Sequence, residues 1–254
     1  MSENEISNEI LEISEIPNEV PTDETRPRRP TLSIDEMKEI LKETLGEKRY
    51  AHTLAVCEEA VILAERFGAD KDKAYLAALL HDCARWMTPK ESKQYCKQNG
   101  VILGKYMGVS PKFAHAYIGA SMARRQFGVR DGQIINAIRR HSTGHKDMSL
   151  LDKIIFVADA IEPGRTGQDV EKARIIAKND LDTAVVLVMM TIKSSHLRGK
   201  PMHPNSKRML VSLNVTPPEN FYFRMKKGKR INPDKISKIG KTIGKLPEKR
   251  LLRV

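Results

Sequence analysis

Four histidines and two aspartates of this 254-residue chain have the types and spacing to do chemistry: His52, His81, His115, His141, Asp82 and Asp159. Imidazole and carboxylate together are the donor set taken by Fe, Mn, Co or Zn. His81 and Asp82 stand in the run Leu76-Ala-Ala-Leu-Leu-His-Asp-Cys-Ala-Arg-Trp86. Between Ala74 and Ala84 no Val, Ile or Pro interrupts the Ala and Leu, so the segment reads as helix. It is apolar nearly all round and therefore belongs in a core. A carboxylate at the end of such a helix must be paired or bound to a metal, because an isolated buried charge is too costly. Asp159, embedded among Ile154, Ile155, Phe156 and Val157, poses the same demand. A single histidine taken alone is more often a satisfied core residue than a ligand. His145, His196 and His203 keep that reading, whereas the set of His52, His81, Asp82 and Asp159 is better explained by a metal. Cys57, Cys83 and Cys96 show no CxxC spacing, which argues against a structural zinc site or a disulfide framework.

The elements that must position these residues read as helices throughout. Ser33-Ile-Asp-Glu36 is a capping box opening a helix to about Leu45, stopped by Gly46. A second helix runs from about Lys48 to Phe67 and carries His52. Asp70 caps a third, which delivers His81 and Asp82, and Pro89 introduces a fourth to Asn99. Ser110-Pro111 suits a helix start, placing His115 near the first turn of a helix reaching Phe127. Asp131 caps a helix ended by His141, and Ser149 caps one running to Ile161 with Asp159 inside it. Helices from about Val170 to Lys178 and from Leu181 to Leu197 complete the body. No strand pattern and no repeat intervenes, so the expectation is an all-α bundle of eight or nine helices.

Charge divides the chain into three. Residues 1–30 hold eight acidic and three basic residues, a net of −5, with few apolar ones, and read as a disordered tail. Residues 207–254 hold fourteen basic and three acidic residues, a net of +11, and read as a disordered basic extension. The body, 31–206, keeps +6 of the overall +12. The high net charge thus says little about the site. The extension could attract RNA or ribosomes, with Phe221, Tyr222 and Phe223 available for stacking on bases. No apolar run reaches bilayer length and no signal peptide is evident, so no membrane role and a cytoplasmic location are expected. A homodimer is compatible with the sequence but not specified by it.

The order His52, His81-Asp82, Asp159 resembles the H…HD…D pattern of the HD-domain metal-dependent phosphohydrolases. Three blocks resemble more narrowly the YqeK-type symmetrical bis(5'-nucleosyl)-tetraphosphatases: Leu79-Leu80-His81-Asp82-x-Ala84-Arg85, Arg140-His141-Ser-Thr143-Gly144, and Met148 to Pro163. The resemblance covers roughly residues 35–205. It implies an HD-domain helical bundle and a hydrolase that splits diadenosine tetraphosphate into two ADP with iron, or with Mn, Co or Zn, as one or two ions. It implies His52, His81, Asp82 and Asp159 as metal ligands; independently of the resemblance, Asp82, as a group that could orient the attacking water, and Arg85, as a phosphate clamp, are the candidate catalytic residues. His115, His141, Arg85, Arg140 and Thr143 are then substrate-binding, the two histidines alternatively holding a second metal. Arg139 and Lys153 are further candidate phosphate clamps. Arg85 stands where lysine is common, Trp86 where an acidic residue is, and the 164–169 loop departs from the family wording. The alternatives are another HD phosphohydrolase, a nucleotidase or a phosphodiesterase on a signalling nucleotide, or an RNA-associated module working through its basic extension.

Overall fold

Helix signals along the chain are honoured almost residue by residue in the computed structural model, which describes residues 31–104, 113–193 and 202–215. Helix α1, Ile34–Leu45, starts with both halves of the Ser33–Glu36 capping box. Helix α2, Glu47–Phe67, ends on Gly68 in the left-handed conformation. Helix α3, Lys71–Leu80, takes two backbone N–H donors on the Asp70 side chain. Helix α4, Pro89–Asn99, pairs a Thr88–Glu91 box with proline at its first turn. Helices α5, Ala114–Arg125, α6, Gly132–Arg140, and α7, Leu150–Ile161, follow, the last two capped by Asp131 and Ser149. Helix α8, Gln168–Ala177, and helix α9, Leu181–Leu187, come next. The chain then passes directly into a π-helical stretch, Val188–Lys193. Helix α10, Pro204–Ser212, is the last described.

Helices α2, α3, α6 and α7 pack on one another around a core that includes Leu79, Leu80, Ile138, Ile154, Ile155 and Phe156, all fully buried. Burial of this kind is the main stabilising term for such a bundle, roughly 1.5–3 kcal/mol for each large aliphatic side chain. Helix α5 lies against α6, and α9 against α7 and α8. Helices α3 and α6 run side by side in the same direction. Their starts are tied by Lys73, whose Nζ lies 2.8 Å from Asp131 and 3.0 Å from the Gln133 side-chain oxygen. Their ends meet where the His81 and His141 rings stand 5.0 Å apart.

Ten helices and no strand occur among the described residues. The helix beyond the expected nine is α10, and it corrects the expected boundary at residue 206. Met209, Leu210 and Val215 are buried in the main core, so the ordered body runs to at least Val215. Ser206 Oγ donates to the Thr143 carbonyl at 2.7 Å, and the Asn205 amide donates to Tyr117 Oη at 3.3 Å. Gly144, at φ 66°, completes the dock: a Cβ there would come 2.1 Å from Met209 Sδ. Five apolar residues between 207 and 215, running into the strongly basic sequence after it, are a faint signal, which is why averaged composition assigns 207–215 to the extension. The acidic tail 1–30, the Ser110-Pro111 cap, His196 and the extension beyond residue 215, with its expected RNA contact, lie outside the described residues.

Candidate metal centre

The apolar helix α3 stops at Leu80. From there the backbone tightens into successive i to i−3 bonds, Cys83 to Leu80, Arg85 to Asp82 and Met87 to Ala84. That turn buries His81 and Asp82 yet returns Arg85 and Trp86 to the surface. Helix α5 can close on it because Gly119 faces it: a Cβ at Gly119 would already touch Cys83 Sγ at 3.4 Å. His52 comes from the second turn of α2, His115 from the first turn of α5, His141 from the end of α6 and Asp159 from the last turns of α7.

These residues converge. The rings of His52 and His81 lie 5.5 Å apart, those of His81 and His141 5.0 Å, and those of His141 and His115 5.1 Å. Donor atoms of His52, His81 and Asp159 lie within 4.8 Å of one another, as do those of His81, Asp82 and His141. Asp159 Oδ1 is 3.4 Å from His52 Nε2, and Asp82 Oδ1 is 3.7 Å from His141 Nε2. Two overlapping donor sets thus share His81.

Each of three histidines has its Nδ1 already engaged. His81 Nδ1–H donates to the Ala78 carbonyl at 2.6 Å, and His141 Nδ1–H to the Ile138 carbonyl at 2.7 Å. His52 Nδ1–H donates to Glu162 Oε1 at 3.1 Å. Carbonyls and carboxylates can only accept, so the neutral rings are left with a lone pair on Nε2, facing inward. His52 Nε2 and His81 Nε2 are buried without a hydrogen-bond partner. Such orphaned acceptors beside two carboxylates fit a divalent cation, and a pinned Nδ1 is the usual support of a metal-bound imidazole. His115 differs. Arg85 Nη1 donates to its Nδ1 at 2.8 Å, which leaves the ring proton on Nε2, 3.2 Å from Asp82 Oδ1.

Charge states suit the same purpose. Burial lowers the His81 pKa, against Asp82 and Asp159, which act to raise it. Burial, reinforced by His81 and His115, holds His141 well below its ordinary value. For Asp82 burial acts upward, but His81, His115 and His141 together hold the carboxyl well below the usual range. For Asp159 burial again acts upward and is outweighed by Lys193, then by His52, His81 and His141. Neutral imidazoles and ionised carboxylates are the forms that ligate metals.

The expected phosphate contacts fare unevenly. Arg85 reaches the mouth of the centre. The Arg140 guanidinium is held by Asp152 at 2.6 Å and by the Asp147 carbonyl, which closes the loop after His141. Thr143 is buried, its hydroxyl donating to the Gly144 carbonyl. Arg139 is buried with Nη2 on the Asn136 side chain, and Lys153 pairs with Asp182 at 2.5 Å. These four are tied into the scaffold. Other cations take the rim: Arg49 Nη1 lies 2.9 Å from Asp82, Arg165 Nη2 3.1 Å from Asp159, and Lys193 Nζ 2.7 Å from Asp159. Lys193 also stands 4.6 Å over the Phe156 ring. Arg49 was legible in principle, three residues before His52 and hence on the same helix face. Lys193 was not, because a π-helical stretch turns it inward. The two remaining histidines among the described residues behave as structural acceptors: His145 Nδ1 accepts from the Asp147 N–H and His203 Nδ1 from the Asn205 N–H, each at 3.1 Å.

Residues 49–164 match the HD domain family. The chain is 37% identical over 179 residues to a symmetrical bis(5'-nucleosyl)-tetraphosphatase of Bacillus subtilis, covering 69% of this chain and 94% of that protein. It is 38% identical over 169 residues to the protein of the same name in Halalkalibacterium halodurans, covering 66% and 90%. A crystal structure of an HD superfamily hydrolase from Clostridium acetobutylicum, described as involved in NAD metabolism, superposes with a TM-score of 0.69 at 36% identity. That superposition covers 73% of this chain and 98% of the other.

Proposed function

The chain belongs to the HD-domain family and, within it, to the group of the symmetrical bis(5'-nucleosyl)-tetraphosphatases, and from that membership we propose that it hydrolyses diadenosine tetraphosphate to two ADP with a divalent metal. The observation that carries the reading is the inward aim of three imidazole Nε2 atoms beside two ionised carboxylates, two of those nitrogens having no partner in the protein. His52, His81, Asp82 and Asp159 are the proposed ligands, and iron is the proposed metal. A divalent metal there supplies Lewis acidity toward water and toward a phosphoryl oxygen.

The protein's own contribution is orientation and charge. Water adds to a phosphorus of the central anhydride, the bond from that phosphorus to its bridging oxygen breaks, and one ADP leaves on each side. Asp82 accepts hydrogen bonds from Arg49 and His115, so one carboxylate both faces the cluster and is oriented from outside it. We assign it the task of orienting the attacking water. Arg85, linked to His115, faces the phosphate chain, and Arg49, Arg165 and Lys193 complete a cationic rim for a polyanion. His141 and His115 line the side of the centre toward Arg85. The free thiols Cys57, Cys83 and Cys96 fit a reducing cytoplasm, and no helix among the described residues is long and apolar enough to cross a membrane.

The test is a product assay. Protein reconstituted anaerobically with Fe(II) or Mn(II) is mixed with diadenosine tetraphosphate and the nucleotides are separated. ADP as the sole nucleotide product is expected. ATP plus AMP would overturn the position of cleavage, and no turnover by metal-loaded protein would overturn the substrate.

A further inference from the structure

We propose that Glu162 is a positioning residue of the metal centre, a two-oxygen acceptor that fixes the His52 ring. The proposal rests on the reading of His52 as metal-facing. Glu162 is 4% exposed and caps the end of α7, its N–H donating to the Ala158 carbonyl at 3.0 Å. Its two oxygens have separate tasks. Oε1 takes the His52 Nδ1–H from a helix 110 positions earlier in the chain, while Oε2 takes the Gly164 N–H at 2.5 Å. A free carboxylate could rotate. This one is tethered at its far oxygen, so its near oxygen holds the imidazole at a fixed angle.

The surrounding turn is built to keep it there. Arg165 N–H closes on the Glu162 carbonyl at 2.9 Å. Arg174 reaches over from α8, donating to the carbonyls of Ile161, Glu162 and Arg165 at 2.7, 2.6 and 2.8 Å. Gly164 leaves room for the carboxylate, since a Cβ there would lie 2.9 Å from Oε2. The turn also sends Arg165 to Asp159, so one short segment orients a histidine and a carboxylate of the same donor set.

The chemistry singles out a carboxylate. An amide has one acceptor oxygen and a donor NH2, so glutamine can accept from His52 or from the Gly164 N–H but must turn donors toward the other. Aspartate, one methylene shorter, can still take the Gly164 N–H but draws its other oxygen back from the His52 ring.

The experiment uses substrate-free, full-length protein loaded with Co(II), read by competition with a chelator and by the visible ligand-field bands. Glu162→Gln is expected to weaken Co(II) binding 10- to 100-fold and to shift the bands, with unchanged stoichiometry and with cooperative unfolding of the metal-free protein retained. Gly164→Ala keeps every charge and displaces the carboxylate alone, so a smaller loss in the same direction is expected. It decides the matter should the glutamine variant fail to fold. Wild-type affinity and bands in the folded variants overturn the proposal. Because no nucleotide is present, failure of the phosphatase reading would leave this result standing, and failure here would leave that reading intact.

Discussion

Which atom of each imidazole carries the proton is decided here by what holds Nδ1, and the sequence shows only part of that. For His81 and His141 the partner is the carbonyl three residues earlier, a consequence of ending a helix on histidine that is readable from the Asp70 and Asp131 caps and the helix lengths. For His52 the partner lies 110 residues away, beyond the reach of pattern or periodicity. The same divide separates Arg85, named from its place after His81-Asp82, from Lys193, which only the fold brings to Asp159. Asp82→Ala and His81→Ala should each lower metal affinity by at least about 100-fold and abolish hydrolysis, with far-ultraviolet dichroism unchanged. A variant that kept its full metal content, assayed by elemental analysis, would remove that residue from the ligand set. Arg140 gives the opposite expectation. Its guanidinium serves Asp152, a carboxylate with no solvent exposure, so Arg140→Ala should lower Tm at least as clearly as it lowers kcat/KM.

Helix ends were the most legible features, because capping is local: every Asp and Ser cap expected within the described residues forms, as does the left-handed glycine at 68. Helix α10 was not legible, since its docking depends on one glycine far away in sequence. Gly144→Ala adds a side chain at φ 66° and drives Met209 from its seat. A loss of about 2–3 kcal/mol is expected, lowering Tm by about 4–12 °C. Adding Met209→Ala should cost less than the sum of the two single changes, because the overlap disappears. The start of α10 carries an acid lability. Burial, with Arg208, lowers His203 to about 4 from an ordinary 6.5. Its neutral Nδ1 is the acceptor that caps the helix. The folded value lies below the unfolded one, so this stability is present above pH about 6.5 and is lost as pH falls toward 4. The amount is about 1–3 kcal/mol. His203→Asn keeps a capping acceptor that does not titrate, and its Tm should fall less than that of the parent between pH 7 and 4.5.

At the scale of the whole molecule, the proposed catalytic unit is residues 31–215, nine residues longer than composition suggests. A chain cut to 31–206 severs α10 and strips Met209, Leu210 and Val215 from the core. It should unfold at a markedly lower temperature, whereas 31–215 should keep both cooperative unfolding and hydrolysis. A different property follows from the shared direction of α3 and α6. Tied together at their starts through Lys73, both helices point their carboxyl ends at the metal centre. Each helix end carries the equivalent of about half an elementary negative charge. That field is written into the backbone, does not titrate, and survives any change of side chain. It draws a cation inward and pushes a lone phosphate back toward Arg49, Arg85, Arg165 and Lys193. Metal before nucleotide is therefore the expected order of binding, checked by whether diadenosine tetraphosphate binds the protein only after metal is added.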